Sequence, residues 1–381
     1  MNCFYGIYRI IHRIFFRSFK LGITSSVNSG IFIKSLYLLY LRNINYKSIK
    51  MRLTRLFLII ISFCFLSCKN SNDDNKIKII DKSIRSIIDQ EAEIEVIADS
   101  LFVSEGPLWD EKIKSLLFTD VAQNKIFKWN KDTGVEEYIV PSGYTAYAPN
   151  FEEGLIGANG ITFNDNGRLV VCQHGDRRLA VIENIGTKTP SFTTLVDNYM
   201  GMRFNSPNDL AISQNGDVYF TDPPYGFFDI ASQSFNNKYK ELDYSGVYKL
   251  SSTGDLSLIS NEMTLPNGIA LTLDEKFLFV NNSDADNPVI MRFNVATNKG
   301  ELFFDGTELS KQFEGGFDGL KVHSSGNIFT SGPNGILIIS PKGELKATID
   351  LGGGVTNCAF DTNEENLFVT GFSKVYKIQL N

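Results

Sequence analysis

Short apolar runs separated by turn residues recur along the chain from residue 94 to its end. The clearest case lies in Phe204–Gly226, where Leu210-Ala211-Ile212 is followed by Asn215-Gly216-Asp217 and then by Val218-Tyr219-Phe220. Two short apolar runs around an Asn-Gly turn predict a β-hairpin. A polar residue stands at the head of the first run, and the same arrangement returns with Glu105, Asn159, Asn208, Asn267, Asp318 and Asn357 as heads. The intervals between them are 54, 49, 59, 51 and 39 residues.

Each head is followed by a turn and a second apolar run: LLFTD at 116–120, RLVVCQH at 168–174, VYFTD at 218–222, FLFVNN at 277–282, NIFTSG at 327–332 and NLFVTG at 366–371. A third run comes next in every unit, and a fourth in most, for example EEYIV at 136–140 and ELFFD at 301–305. Units of this length with four strands each predict an all-β fold, a six-bladed β-propeller. The sixth unit runs out of chain after three strands. The stretch IEVIADS at 94–100 precedes the first unit and is the expected donor of the missing outer strand, closing the ring so that no blade edge is left open. A β-sandwich is the alternative, and six units in phase weigh against it.

Composition fills in the rest of the chain. With 43% apolar and 12% aromatic residues over 381 positions, there is ample material for a core. Residues 1–67 carry ten Lys/Arg and no acid, so the remainder holds 27 basic against 43 acidic residues, a net charge of −16. That balance excludes a nucleic-acid partner, which demands a basic footprint. Residues 51–67 have a basic start and a short apolar run and read as a signal peptide rather than a membrane span. The sequence Phe65-Leu66-Ser67-Cys68 matches a bacterial lipoprotein box, with Cys68 as the lipidation site and the only expected membrane contact. An exported lipoprotein of the cell envelope, periplasm-facing or on the surface, is therefore expected. Residues 1–50 precede a signal that should be N-terminal, so they are expected to be an upstream extension with Met51 as the true start. Residues 68–93 are assigned to a tether or linker, with a short helix as an alternative at 76–93, and 94–381 to the propeller. Cys172 and Cys358 are expected as buried free thiols. No apolar heptad or docking strand stands out, and a monomer is expected.

In a propeller the innermost strands run beside the central channel, so side chains distant in sequence meet at the axis. The six heads form a ring of oxygen donors with two carboxylates and no Cys or His. Such donors suit a hard divalent cation, Ca²⁺ first, with Mg²⁺ or Zn²⁺ as alternatives. The plain alternative is that Asn-Gly and Asp-Gly only begin turns, which accounts for the glycines but poorly for Glu105. A G-x-S-x-G elbow and an H-E-x-x-H motif are both missing, and only His174 and His323 lie after the signal segment. His174 follows the second strand of its unit and is placed either in a structural turn or at the channel mouth. Tyr225 in DPPYG is either a pocket wall or turn packing.

The stretches EGPLWDEKIKSLLFTD, FNSPNDLAISQNGDVYFTDPPYG, LPNGIAL, FDGLKV and TNCAF resemble the gluconolactonase branch of the senescence marker protein/regucalcin family over about residues 94–380. The resemblance implies a six-bladed propeller with one catalytic divalent metal at the axis, usually Ca²⁺, and hydrolysis of sugar lactones. By motif, Glu105, Asn267 and Asp318 match the metal ligands, Asn208 matches an asparagine that contacts the metal or its bound substrate and water, and Asp318 matches the general base. Asn208, Arg203, Asn159, His174 and Tyr225 are the substrate-binding candidates. Two positions depart from the family pattern: Phe317 stands where Pro often precedes the Asp-Gly, and Ser206 stands where regucalcins carry a substrate-contacting arginine. Two further function classes stay open, a hydrolase of another electrophile such as a phosphotriester on the same metal site, and a non-catalytic, lipid-tethered binding propeller.

Overall fold

The computed structural model describes residues 76–149, 154–185 and 190–381. Six antiparallel sheets of four or five strands stand in sequence order as six blades. In blade one the strands run from inside to outside as Ser104–Asp110, Ser115–Asp120, Lys125–Asn130 and Gly134–Ile139. The innermost strands of blades two to six are Ala158–Phe163, Leu210–Ile212, Pro266–Leu271, Leu320–Val322 and Val355–Phe360. The all-β propeller expected from the repeat is the observed architecture. Helix is confined, among the described residues, to Thr307–Ser310 and three short 3-10 turns.

Burial follows position in the blade. The second strands Ser115–Asp120, Leu169–Gln173 and Val218–Asp222 are buried at every residue, because both of their faces are covered by neighbouring blades. Their sequences are accordingly near-continuous apolar runs. The outer strand Phe192–Val196 alternates between half-buried and exposed residues, as a strand with one covered face should. The core lies between blades: Leu117, Ile126 and Ile139 of blade one pack on Ile161, Val171 and Ala180 of blade two. This is face-to-face sheet packing repeated around a ring.

Ile94–Ala98 pairs antiparallel with Val375–Gln379 and occupies the outer position of blade six. Residues 76–93, assigned to a linker from sequence, are instead part of the folded unit. Ile77–Ile79 adds a fifth strand to blade five, Lys82–Ser86 forms a 3-10 turn, and Ile77, Ile84 and Ile88 are buried in the core between blades five and six. The isoleucines, spaced to face one surface, offset the cost of ordering this charged stretch. The upstream extension, the signal segment and the Cys68 lipidation site lie outside the described residues. No helix among the described residues is long and apolar enough to cross a membrane.

Candidate active site

At the head residues the pairing of first and second strands slips. Register shifts fall between Glu105 and Leu108, Ala158 and Ile161, Pro266 and Ile269, and Val355 and Asn357. Such irregularities turn a strand's side chains away from the regular alternation, and here they accompany the heads' arrival at the axis. Glycine after a head allows the approach. A Cβ on Gly268 would lie 2.3 Å from the Asp318 carbonyl oxygen, and one on Gly319 would lie 2.0 Å from Asn357 Cγ. The Asn-Gly and Asp-Gly pairs are therefore contacts between adjacent innermost strands, not merely turn starts.

A ring of hydrogen bonds holds those strands together. Thr119 Oγ1 donates to Asn159 O (3.1 Å), Gly160 N to Asn208 O (2.7 Å) and Thr221 Oγ1 to Asn267 O (2.7 Å). Gly268 N donates to Asp318 O (2.9 Å), Gly319 N to Thr356 O (2.6 Å) and Thr356 Oγ1 to Ser104 O (2.7 Å), which returns the circuit to blade one. Each bond crosses from one blade to the next, so the backbones of the heads are fixed by their neighbours.

The circuit brings together the carboxylates of Glu105 and Asp318 and adds Asp209, which sequence reasoning passed over. Asn357 Nδ2 donates to Glu105 Oε2 (3.2 Å), and Lys321 Nζ lies 3.6 Å from Asp209 Oδ2. Burial, and then the Asp209 charge, push the Glu105 carboxyl up to about 7. Burial and the facing carboxylates of Glu105 and Asp209 push Asp318 well above the usual carboxylate range. Three acids share one nearby ammonium in a dehydrated place, and because a buried charge without compensation is strongly unfavourable they can all be ionised only if a further cation offsets them. Asp318 Oδ1 and Asn159 Oδ1 are buried without a hydrogen-bond partner. Oxygen atoms left open beside such acids are what a hard cation requires. Glu105, Asn208, Asn267 and Asp318 fit that role. No group of three or more His, Cys, Asp or Glu able to hold a metal occurs among the described residues, so a site here depends on amide oxygens as well as acids.

Above this floor is a cavity of about 560 Å³ lined by Glu105, Asn159, His174, Asn208, Tyr225, Asn267 and Asp318 among others. Of the substrate-binding candidates, Asn208, Asn159, His174 and Tyr225 therefore meet, but Arg203 does not. It lies on the two-residue strand Met202–Arg203, its backbone N–H donates to Glu241 Oε2 (2.9 Å), and its guanidinium is directed at the same carboxylate. Ser206 instead stitches the DPPYG turn in place, donating to Pro223 O (2.5 Å) and accepting from Gly226 N (2.8 Å). Phe317 is fully buried, packed edge-on against Phe304 behind the Asp318 loop.

His174 is wholly buried, and its Nδ1 faces the Leu155 carbonyl at 3.1 Å. A carbonyl only accepts, so Nδ1 carries the proton and Nε2 is left as an acceptor, with no partner in the protein. Burial lowers the His174 pKa to about 4, keeping the ring neutral. Burial and the charge of Asp318 raise the Tyr225 hydroxyl above its usual range, so it remains a donor. Cys172 and Cys358 are buried free thiols, as expected.

Residues 103–373 match the family described as the SMP-30/Gluconolactonase/LRE-like region. The chain belongs to that family. It is 35% identical to a gluconolactonase of Zymomonas mobilis over 81% of this chain and 87% of that protein. A pentonolactonase of Haloferax volcanii is 22% identical over 62% of this chain and 68% of its own length. The structure of a gluconolactonase from Xanthomonas campestris superposes with a TM-score of 0.69 at 27% identity, covering 81% of this chain and 96% of that one.

Proposed function

We propose that this protein is a cation-dependent lactone hydrolase acting on sugar lactones such as gluconolactone. The observation that carries the reading is the meeting of the Glu105 and Asp318 carboxyls at the floor of a cavity, where Asp318 Oδ1 and Asn159 Oδ1 are buried without a partner. Its membership of a family that includes gluconolactonases points the same way. A divalent cation, Ca²⁺ first, held by Glu105, Asn208, Asn267 and Asp318 would polarise an ester carbonyl and offset the charge that builds on its oxygen.

The chain's own groups then have distinct tasks. Asp318 takes the proton of the attacking water, and the new C–O bond forms as the carbonyl becomes tetrahedral. Collapse breaks the bond to the ring oxygen, which leaves as a hydroxyl by taking the proton that Asp318 had accepted, giving the hydroxy acid and restoring the carboxylate. His174 Nε2 accepts a hydrogen bond from a substrate hydroxyl, and the Tyr225 hydroxyl donates one. Asn159 and Asn208 provide amide groups on the same wall. Lactones are activated esters, so a single positioned base suffices.

The test is Asp318→Asn. Turnover of glucono-1,5-lactone should fall at least about a hundredfold, the low end for a lost general base, with an unchanged unfolding profile. A variant near the wild-type rate would remove Asp318 from the mechanism. Export through Met51–Ser67 with acylation at Cys68 belongs to the same proposal. An unacylated N-terminal peptide from the mature protein, seen by mass spectrometry, would contradict it.

A further inference from the structure

The mouth of the cavity is unlike its floor. Phe102, Ile230 and Phe372 line it and are 65%, 49% and 56% exposed, respectively. They come from three separate segments: the approach to blade one, an insertion in blade three, and the end of the second strand of blade six. Each is held by local bonds. Phe102 N donates to Asp120 Oδ2 (2.9 Å), Phe372 N to Gly354 O (2.9 Å), and Ile230 O accepts from Gln233 Nε2 (2.6 Å). The insertion that carries Ile230 is itself a packed wall, with Phe228 and Phe235 ring centroids 5.3 Å apart. Scattered exposed apolar side chains are ordinary, but three gathered around one opening mark a binding surface.

The charges complete the argument. No Lys or Arg lines this cavity among the described residues, and its acids are Glu105 and Asp318. A substrate with a phosphate or carboxylate tail would find no cation to receive it. A long polyhydroxylated tail would meet the phenyl rings of Phe102 and Phe372 and the sec-butyl side chain of Ile230 where its hydroxyls need partners. A cavity of about 560 Å³ falls within the range of about 300–1,000 Å³ that takes larger ligands than one ring.

We propose that the preferred substrate is a lactone whose ring carries an uncharged, apolar substituent, alkyl, acyl or aryl, which lies against Phe102, Ile230 and Phe372. This rests on the lactone-hydrolase reading: the polar floor serves the ring, and the rim serves what the ring bears. The experiment measures acid release by the purified protein with Ca²⁺ from γ-butyrolactone, γ-hexalactone, γ-octalactone and γ-decalactone, beside glucono-1,5-lactone. We expect kcat/KM to rise roughly twofold to fourfold per methylene while the chain stays on the rim. The decalactone-to-butyrolactone ratio should collapse several-fold in Phe102→Ser, Phe372→Ser and Ile230→Ser. The last lies on a surface insertion, which guards against loss of fold. Turnover of butyrolactone and gluconolactone with no dependence on chain length would overturn this inference and leave the lactonase reading standing. Failure on every lactone would overturn the lactonase reading first. If the variants keep the ratio but lose binding to phosphatidylglycerol vesicles, the rim is a lipid contact and the inference falls.

Discussion

Replacing Gly268 with alanine should damage both the fold and the site, and the size of the effect can be worked from distances. The added Cβ would sit 2.3 Å from Asp318 O, 2.6 Å from Gly319 Cα and 2.8 Å from Gly319 C. Carbon prefers about 3.5–4.0 Å from such neighbours, so the innermost strands of blades four and five must separate by about 1 Å. All three atoms are backbone, and no side-chain rotation relieves the clash. Overpacking costs about 1–3 kcal/mol, and loss of the Gly268 N to Asp318 O bond (2.9 Å) adds about 1 kcal/mol. Alanine reduces the freedom of the unfolded chain and returns about 0.4–1 kcal/mol, leaving a net loss of about 1–4 kcal/mol. Asp318 and Asn267 are the residues displaced, and a shift of about 1 Å in a reacting group costs on the order of a hundredfold in rate. Urea unfolding and lactone turnover read the two effects. The matched control is Gly316→Ala, two residues before Asp318, where the nearest atom to a Cβ is Ser283 O at 3.9 Å. It should stay within about 0.5 kcal/mol of wild type. If Gly268→Ala unfolds at the same urea concentration as Gly316→Ala and keeps full turnover, the inter-blade contact does not set the site.

Other substitutions probe separate parts of the account. Thr221→Val keeps the shape but removes the donor to Asn267 O (2.7 Å), and should lower unfolding free energy by about 1–3 kcal/mol; an unchanged urea midpoint would show the bond to be dispensable. His174 is held neutral, its pKa lowered by burial from 6.5 to about 4. As pH falls from about 6.5 to about 4, the unfolded state gains a proton that the folded ring refuses, so stability drops, by about 3 kcal/mol in total. His174→Gln should lose less stability than wild type between pH 7.5 and pH 4.5 in urea titrations, and parallel curves for the two would contradict the assignment of a neutral, buried imidazole.

Much of this was legible in the residues. The six heads, spaced at 54, 49, 59, 51 and 39 residues, located the axis because an innermost strand must start near it. The Thr of LLFTD and VYFTD was visible as a recurrence, yet its use as a clamp onto the next blade's head carbonyl needed the neighbouring strand in place. Asp209 was missed because it follows a head rather than being one. The signal was nonetheless present: four of the other five heads are followed by Gly, and blade three has an acid there. Arg203 is close to Asn208 in sequence but not in space: it is held in a two-stranded hairpin with Asn198–Tyr199, and its backbone N–H bonds Glu241. Residues 76–93 looked like a linker because their isoleucines alternate with charge. Only the exposed edge of blade five shows where a strand from this segment can pair. The apolar rim could not be read at all, since Phe102, Ile230 and Phe372 come from loops without a shared pattern.

The central claim is that a cation bound at the carboxylate floor supports lactone hydrolysis. The most direct measurement is acid release from glucono-1,5-lactone by the purified protein, first as isolated, then with chelator, then with Ca²⁺ restored. The account predicts turnover that disappears with chelator and returns with Ca²⁺, while the unfolding transition stays cooperative throughout. Turnover unaffected by chelator, or none with any divalent metal in a folded protein that binds Ca²⁺, would contradict it.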